Sequence, residues 1–154
     1  MGTATVVDEA GASSVGGDVS REELRAVLDR TLTELNADEV RGPLLRAADL
    51  RLRLRFVDLN LVLDLAASED PDRPLEWTFD GEPEWKPKFE LTMDSETANG
   101  YLQGRESLPI GIARRRVRCR GDSRAAILYL PAARLIVDPY RRIVARDYPH
   151  LALS

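Results

Sequence analysis

Residues 89–122 constrain the fold most, because strand, helix, helix and strand signals follow one another there with almost no slack. In Phe89-Glu90-Leu91-Thr92-Met93 apolar and polar side chains alternate, which puts Phe89, Leu91 and Met93 on one face of a half-buried strand. Asp94 or Ser95 is placed to accept from the free backbone N–H groups of a helix starting there. Leu102 follows Ala98 by one helical turn, on the same face. Gly104 supplies the permissive backbone of a helix end. A second short apolar segment, Pro109 to Ala113, leads into Val117-Arg118-Cys119-Arg120 and the turn pair Gly121-Asp122.

The rest of the chain extends this pattern on both sides. Residues 1–19 are rich in Gly, Ala, Ser, Thr and acidic groups without periodicity; they bury too little apolar area to offset their ordering entropy, and a disordered tail is expected. Ser20 and Glu23 have capping-box spacing, and Leu24, Leu28, Leu32 and Leu35 then mark an amphipathic helix. After Gly42-Pro43, the strict apolar and basic alternation Leu50 to Phe56 reads as a strand, Asp58-Leu59-Asn60 as a turn, and Leu61 to Leu65 as its antiparallel partner. Leu75 to Phe79 alternates again before the turn dipeptide Asp80-Gly81. Pro131 and Pro139 interrupt the apolar residues of 123–148, so two or three short helices with kinks or breaks are expected there.

This order of elements resembles the sterol carrier protein 2-like family. The resemblance rests on Leu91-Thr92-Met93-Asp94-Ser95-Glu96, on Gly104-Arg105, Pro109 and Ala113, and on Val117 through Asp122. It runs from about residue 20 to about residue 144, with the domain taken as 20–148. The chain departs from the family at Arg114-Arg115-Arg116, where many relatives end a helix on small residues. The resemblance implies an α/β chain of the α+β type: about five strands in a mainly antiparallel sheet, helices packed on one face, and an apolar tunnel between the layers.

Composition narrows the function from the other side. A chain of 154 residues fits one domain able to bury about two thirds of its unfolded surface without disulfides or metals. No apolar run approaches the roughly 20 residues that span a bilayer. A net charge of −4 gives no overall attraction to nucleic acid, which is not expected as a partner. The one cysteine cannot form an intrachain disulfide and the N-terminus lacks a secretion-signal pattern, so a cytoplasmic location is expected.

Candidate ligand-binding residues are the apolar side chains facing the layer between sheet and helices. From the strands these are Phe56, Leu63, Trp77, Phe79, Phe89, Leu91 and Met93; from the helices, Tyr101, Leu102, Ile110, Ile112, Ile127, Leu128 and Leu135. As residues alone they equally describe a filled core. Tyr101, Tyr129, Thr78 and Gln103 are the candidate polar groups for specificity. If the layer is hollow, burying about ten ligand methylenes at roughly 0.8 kcal/mol each reaches about 8 kcal/mol before ordering costs, the scale of micromolar binding.

Arg114, Arg115, Arg116, Arg118 and Arg120 fall within seven residues, either a solvated face or a patch for a carboxylate, phosphate or coenzyme A head group or an anionic lipid surface. Arg114, Arg116 and Arg118 are the named head-group candidates, and Arg51, Arg53 and Arg55 extend the patch if their strand lies alongside.

Catalytic signals are sparse. His150 stands outside any motif, Cys119 reads as a small buried hydrophobe, and no metal-ligand spacing or phosphate-binding loop is present. No cofactor and no catalytic residue is assigned. Glu76, Asp64 or Glu90 becomes a candidate acid or base only if its side chain turns inward.

The leading expectation is a carrier or sequestering protein for a sterol, fatty acyl chain or similar lipid, monomeric or homodimeric and touching anionic lipid surfaces transiently. The alternatives are an enzyme positioning a hydrophobic intermediate for cyclisation or isomerisation, and an interaction module using Tyr140, Ile143, Val144 and Tyr148 as a docking stripe.

Overall fold

The computed structural model describes residues 18–153. The disordered tail expected over residues 1–19 lies, apart from its last two residues, outside them. Helix α1, Arg21–Ala37, begins where the Ser20 side chain accepts a hydrogen bond from the Glu23 backbone N–H at 3.1 Å, the capping contact its spacing predicts. Leu24, Val27, Leu28, Leu32 and Leu35 form its buried stripe. A short helix that the sequence reading lacks, α2 (Arg41–Ala47), follows at once. Gly42-Pro43 falls in its first turn, where a missing proline N–H has no intrahelical partner to lose. The Asp38 carboxylate accepts from the backbone N–H groups of Arg41 and Val40, and these bonds hold its pKa below the usual carboxylate range.

The strands are β1 (Arg51–Phe56), β2 (Leu61–Ala67), β3 (Leu75–Phe79), β4 (Phe89–Met93) and β5 (Arg118–Gly121). They form one five-stranded sheet in the order β3-β2-β1-β4-β5. The β3–β2, β2–β1 and β4–β5 pairs are antiparallel, whereas β1 and β4 run parallel. The sheet is therefore mixed, and mainly antiparallel as expected. The tight β1–β2 connection uses Asn60 at φ 50°, a left-handed conformation that asparagine tolerates. Gly121, at φ 92°, ends β5 where an added Cβ would stand 2.7 Å from the Lys88 carbonyl oxygen.

The remaining helices are α3 (Ser95–Leu102), α4 (Leu108–Ala113), α5 (Ser123–Leu128) and α6 (Leu130–Asp147), followed by a 3-10 turn at Pro149–Leu151. Asp94 and Asp122 cap α3 and α5 by accepting from backbone N–H groups in their first turns. The segment 123–148 holds two helices, one short and one long. Pro131 sits in the first turn of α6, and Pro139 lies inside it without ending it. Tyr140, Ile143 and Val144, all fully buried, follow Pro139 directly, and the packing of this half against α1 outweighs the hydrogen bond that proline removes. The docking stripe proposed for a partner is thus spent within the chain.

Alternation decides which face each strand residue occupies. Leu52, Leu54, Phe56, Leu61, Leu63, Leu65, Phe89, Leu91 and Met93 face the helices, and register pairs them across the strands. The opposite parity builds a charged outer face, where Thr78, Asp64, Arg53, Glu90 and Arg120 occupy one continuous cross-strand row. The connection between β3 and β4, residues 80–88, crosses this outer face: Trp85 borders a cleft with Asp64 of β2, and Pro87 borders one with Arg53 and Arg55 of β1. It closes on Lys88, whose backbone N–H donates to the Arg51 carbonyl at 2.8 Å.

Candidate functional site

A pocket of about 90 Å³ lies between the helix-facing side of the sheet and the helices. Leu52, Leu54, Phe56, Leu65, Phe89, Leu91 and Met93 form its floor; Ala98, Tyr101, Leu102 and Leu108 close one side, and Ala126, Tyr129, Leu130, Ala133, Ile136 and Val137 the other. The space has a simple origin. Ala98, Ala126 and Ala133 stand on three different helices that face long strand side chains, and a methyl group at each leaves unfilled what a leucine would occupy. Along α6 the division is sharp: the half before Pro139 borders the pocket, and the half after it is solid core.

Beside this pocket is an outer vestibule of about 610 Å³, bordered by the α3–α4 connection and α6. Tyr101, Leu108, Leu130, Ala133 and Val137 line both spaces. The vestibule also holds Arg105, Glu106, Arg134 and Asp138. Both acids are engaged by arginines: Arg116 reaches Glu106 at 3.4 Å and Arg41 reaches Asp138 at 3.6 Å. Arg105 and Arg134 have no ion-pair partner among the described residues.

Polar groups around the pocket are mostly tied to structure. Tyr129 donates its hydroxyl to the Asp49 carbonyl at 2.6 Å, receives Lys88 Nζ at 3.1 Å, and stacks at a tilt on Phe89 with centroids 5.4 Å apart. The hydrogen bond to Tyr129, and then that to Asp49, hold the Lys88 pKa above its ordinary value. Gln103 is a buried brace: its amide N–H donates to Asn99 Oδ1 and to the Leu151 carbonyl, while Tyr140 donates to the same Asn99 oxygen at 2.9 Å. Tyr101 is the phenol left at the junction of pocket and vestibule. Burial pushes its pKa up to about 12, so it is a neutral group at any ordinary pH.

Of the strand candidates, Phe56, Phe89, Leu91 and Met93 line the pocket. Trp77 and Phe79 lie instead beneath α1, where Trp77 Nε1 donates to Asp29 at 2.9 Å and the Arg25 guanidinium sits 5.1 Å from the Phe79 ring centre. Leu63 is buried core. Of the helix candidates, Tyr101 and Leu102 line the pocket, Ile112 and Leu135 pack against the core, and Ile110, Ile127 and Leu128 are exposed. Leu128 is 75% exposed.

Arg114, Arg116 and Arg118 border neither pocket nor vestibule. Strand β4 separates β1 from β5, and Glu90 stands between Arg53 and Arg120; Arg53, Arg55 and Arg120 share a cleft of about 440 Å³ with Glu90 there, which Arg114, Arg116 and Arg118 do not line. Of the basic residues at the vestibule, Arg105 stood out in the sequence only within the Gly104-Arg105 match and not as a head-group candidate, and Arg134 not at all. Nor was the trio Ala98, Ala126 and Ala133 singled out, although a small residue on each apolar helix stripe was the available signal.

Glu76, Asp64 and Glu90 all face outward, away from the pocket, by their register with Ala66, Arg53 and Arg120. Burial first, and then the Asp122 carboxylate, push the Cys119 thiol up, which disfavours the nucleophilic thiolate. His150 pairs with Glu23 at 2.7 Å and ties the C-terminal segment to α1. Among the described residues no group of His, Cys, Asp and Glu converges as a metal site, and no helix is long and apolar enough to cross a membrane.

No protein family model matches the sequence, and no match to a curated protein reaches significance. Solved structures do share its fold. A conserved hypothetical protein from Thermus thermophilus superposes with a TM-score of 0.58 at 18% identity, over 92% of this chain and 97% of its own. Domain 2 of the sterol carrier protein of Helicoverpa armigera gives 0.54 at 13% identity, covering 82% and 96%. The ubiquinone synthesis protein UbiJ-SCP2 gives 0.54 at 18% identity, covering 77% and 96%. The chain has the fold of the sterol carrier protein 2 domains, an α+β arrangement. It also spans 14% of the length of the sec-alkylsulfatase Pisa1 from Pseudomonas sp., over 64% of its own, at a TM-score of 0.49 that carries no argument about catalysis.

Proposed function

We propose that the protein binds a chain-like hydrophobic small molecule, with the apolar end in the pocket between the layers and the remainder in the vestibule, and carries or sequesters it in the cytoplasm without making or breaking bonds. The observation that carries this reading is the continuity of lining between an apolar slot and a polar-rimmed opening. The sterol carrier protein fold supports it, since one structural neighbour is named for sterol carriage and another for ubiquinone synthesis.

Size favours a chain over a ring system. An engineered apolar cavity of about 150 Å³ holds benzene, and drug-sized pockets run from about 300 Å³. A slot of about 90 Å³ is smaller than either and takes only the first few methylene groups of a chain, roughly three. Those contribute about 2–3 kcal/mol at roughly 0.8 kcal/mol per methylene, well short of the roughly 8 kcal/mol of micromolar binding. The remainder must come from the vestibule or from α6 moving off the sheet. Arg105 and Arg134 supply cations for an acidic head group there, and exposed Ile110, Ile127 and Leu128 provide apolar contact with a lipid surface during transfer.

The test is titration with straight-chain alcohols and fatty acids of increasing length, competed against a fluorescent fatty-acid probe, with native mass spectrometry of the purified protein. Saturable displacement that strengthens with chain length is the expected result. A flat response to every chain, with no lipid-sized mass retained, removes the proposal.

A further inference from the structure

The outer face of the sheet carries a buried carboxylate for which the apolar pocket has no use. Asp64, in the middle of β2, is fully buried. Its Oδ1 accepts from Arg53 Nε at 2.7 Å, on the β1 side, while Oδ2 has no hydrogen-bond partner. A buried acceptor left in that state is costly, more so for a charged group, and such groups call for a specific explanation.

On its other flank Asp64 is paired with Thr78 of the edge strand β3. A cleft of about 360 Å³ opens on that side, between β3 and the crossing segment 80–88, and Asp64, Glu76, Trp77, Thr78, Glu84 and Trp85 line it. Trp85 supplies the aromatic wall, since the Trp77 indole turns to the helix side of the sheet, where it donates to Asp29. Three carboxylates share the same walls, yet no group of acids among the described residues converges closely enough for a metal ion. Dispersed carboxylates beside an indole suit a larger, organic cation: the ring quadrupole attracts positive charge, and N–H donors pair with carboxylate oxygens.

We propose that this cleft is a second binding site, for a small organic cation bearing a primary ammonium or guanidinium group, whose N–H donates to Asp64 Oδ2 between Trp85 and the carboxylates of Glu76 and Glu84. The site lies on the opposite face of the sheet from the apolar pocket and does not depend on it. Because Trp85 stands in the crossing segment above the strand, the ligand enters by displacing that ring, and tryptophan emission reports the event.

The experiment titrates the full chain with n-butylammonium, with agmatine, with 1-butanol as the neutral control, and with a capped peptide bearing one lysine. Tryptophan emission and the two indole N–H resonances are followed, and uptake of a fluorescent fatty-acid probe serves as an independent control. Saturable responses to both small cations and none to butanol are expected, with Asp64→Asn weakening binding about tenfold or more, the scale of one charge-assisted hydrogen bond. A stronger response to the peptide than to butylammonium identifies a protein side chain as the natural cation, and a weaker one identifies a free amine. Should Asp64→Asn fail to fold, Trp85→Leu and the Glu76→Gln, Glu84→Gln pair decide, each expected to weaken binding several-fold. Equal binding of butanol and the cations, no saturable response to any cation at millimolar concentration, or full affinity in these variants overturns the proposal while leaving fatty-acid uptake untouched.

Discussion

The two faces of one sheet differ more than any two domains could, because the same five strands build both. Toward the helices, Leu54, Phe56, Leu91 and Met93 border a slot whose one free polar group is the Tyr101 phenol. Toward the outside, Asp64, Arg53, Glu90 and Arg120 form a row of alternating charge. Alternation along a strand separates the faces completely, so each can be altered without touching the other. The inner face tolerates unfilled space because an apolar void costs only lost contacts. The outer face tolerates little, since a buried charge without a partner is expensive.

Breaking the outer row should have the largest effect. Arg53→Met leaves the buried Asp64 without its hydrogen-bond donor and should lower unfolding free energy by about 3 kcal/mol or more, measured by urea denaturation. Adding Asp64→Leu to it should restore most of that loss, because the unpaired charge then disappears. If both variants unfold at the same urea concentration, the charge row does not set the difference between the faces.

Filling the inner face is the next probe. Ala133→Leu extends α6 into the slot, and should reduce fatty-acid affinity by about tenfold or more, the equivalent of about 1.4 kcal/mol, while changing stability by less than about 1.5 kcal/mol. A variant that lost stability but kept affinity would place the ligand elsewhere. Tyr140→Phe removes the donor to Asn99 Oδ1 without changing shape, and a loss of about 1 kcal/mol is expected, visible as a lower thermal midpoint with ligand uptake retained.

The smallest effect sharpens the comparison by pH. Burial raises the pKa of Tyr101 to about 12 and that of Tyr140 upward as well. A phenol whose folded pKa lies above its unfolded value contributes its full stability below about pH 10, and loses it as pH climbs toward 12. Stability should therefore be insensitive to both phenols at neutral pH and fall across that alkaline window. Ultraviolet titration, with Tyr101→Phe and Tyr140→Phe to assign the signals, should show Tyr101 and Tyr140 ionising late; their titrating near pH 10 would contradict the buried placement.

Much of this architecture was legible in the residues. Strict alternation in Leu50–Phe56 and Phe89–Met93 identified both strands and their buried faces, and Ser20 and the pair Asp94-Ser95 marked helix starts through short-range hydrogen bonds, whereas Asp122, legible only as part of a turn, also caps a helix. What escaped depends on distant parts of the chain. Helix α2 was hidden because Gly42-Pro43 reads locally as a turn, and α6 continues through Pro139 because packing against α1 compensates the missing bond. The basic run at 114–120 drew attention by its density, whereas Arg105 and Arg134 reach the vestibule only through the approach of α6 to the α3–α4 connection.

By itself the sequence determined the order of elements and the side of the sheet each strand residue would take, because both follow from backbone periodicity over a few neighbours. Only the tertiary structure decided that the apolar layer leaves a slot of about 90 Å³ and that Asp64 keeps one oxygen unpartnered. A void is the difference between surfaces contributed by β1, β4, α3, α5 and α6, and an orphaned acceptor depends on what stands across the next strand. Neither quantity belongs to any single stretch of residues, so no local pattern encodes it.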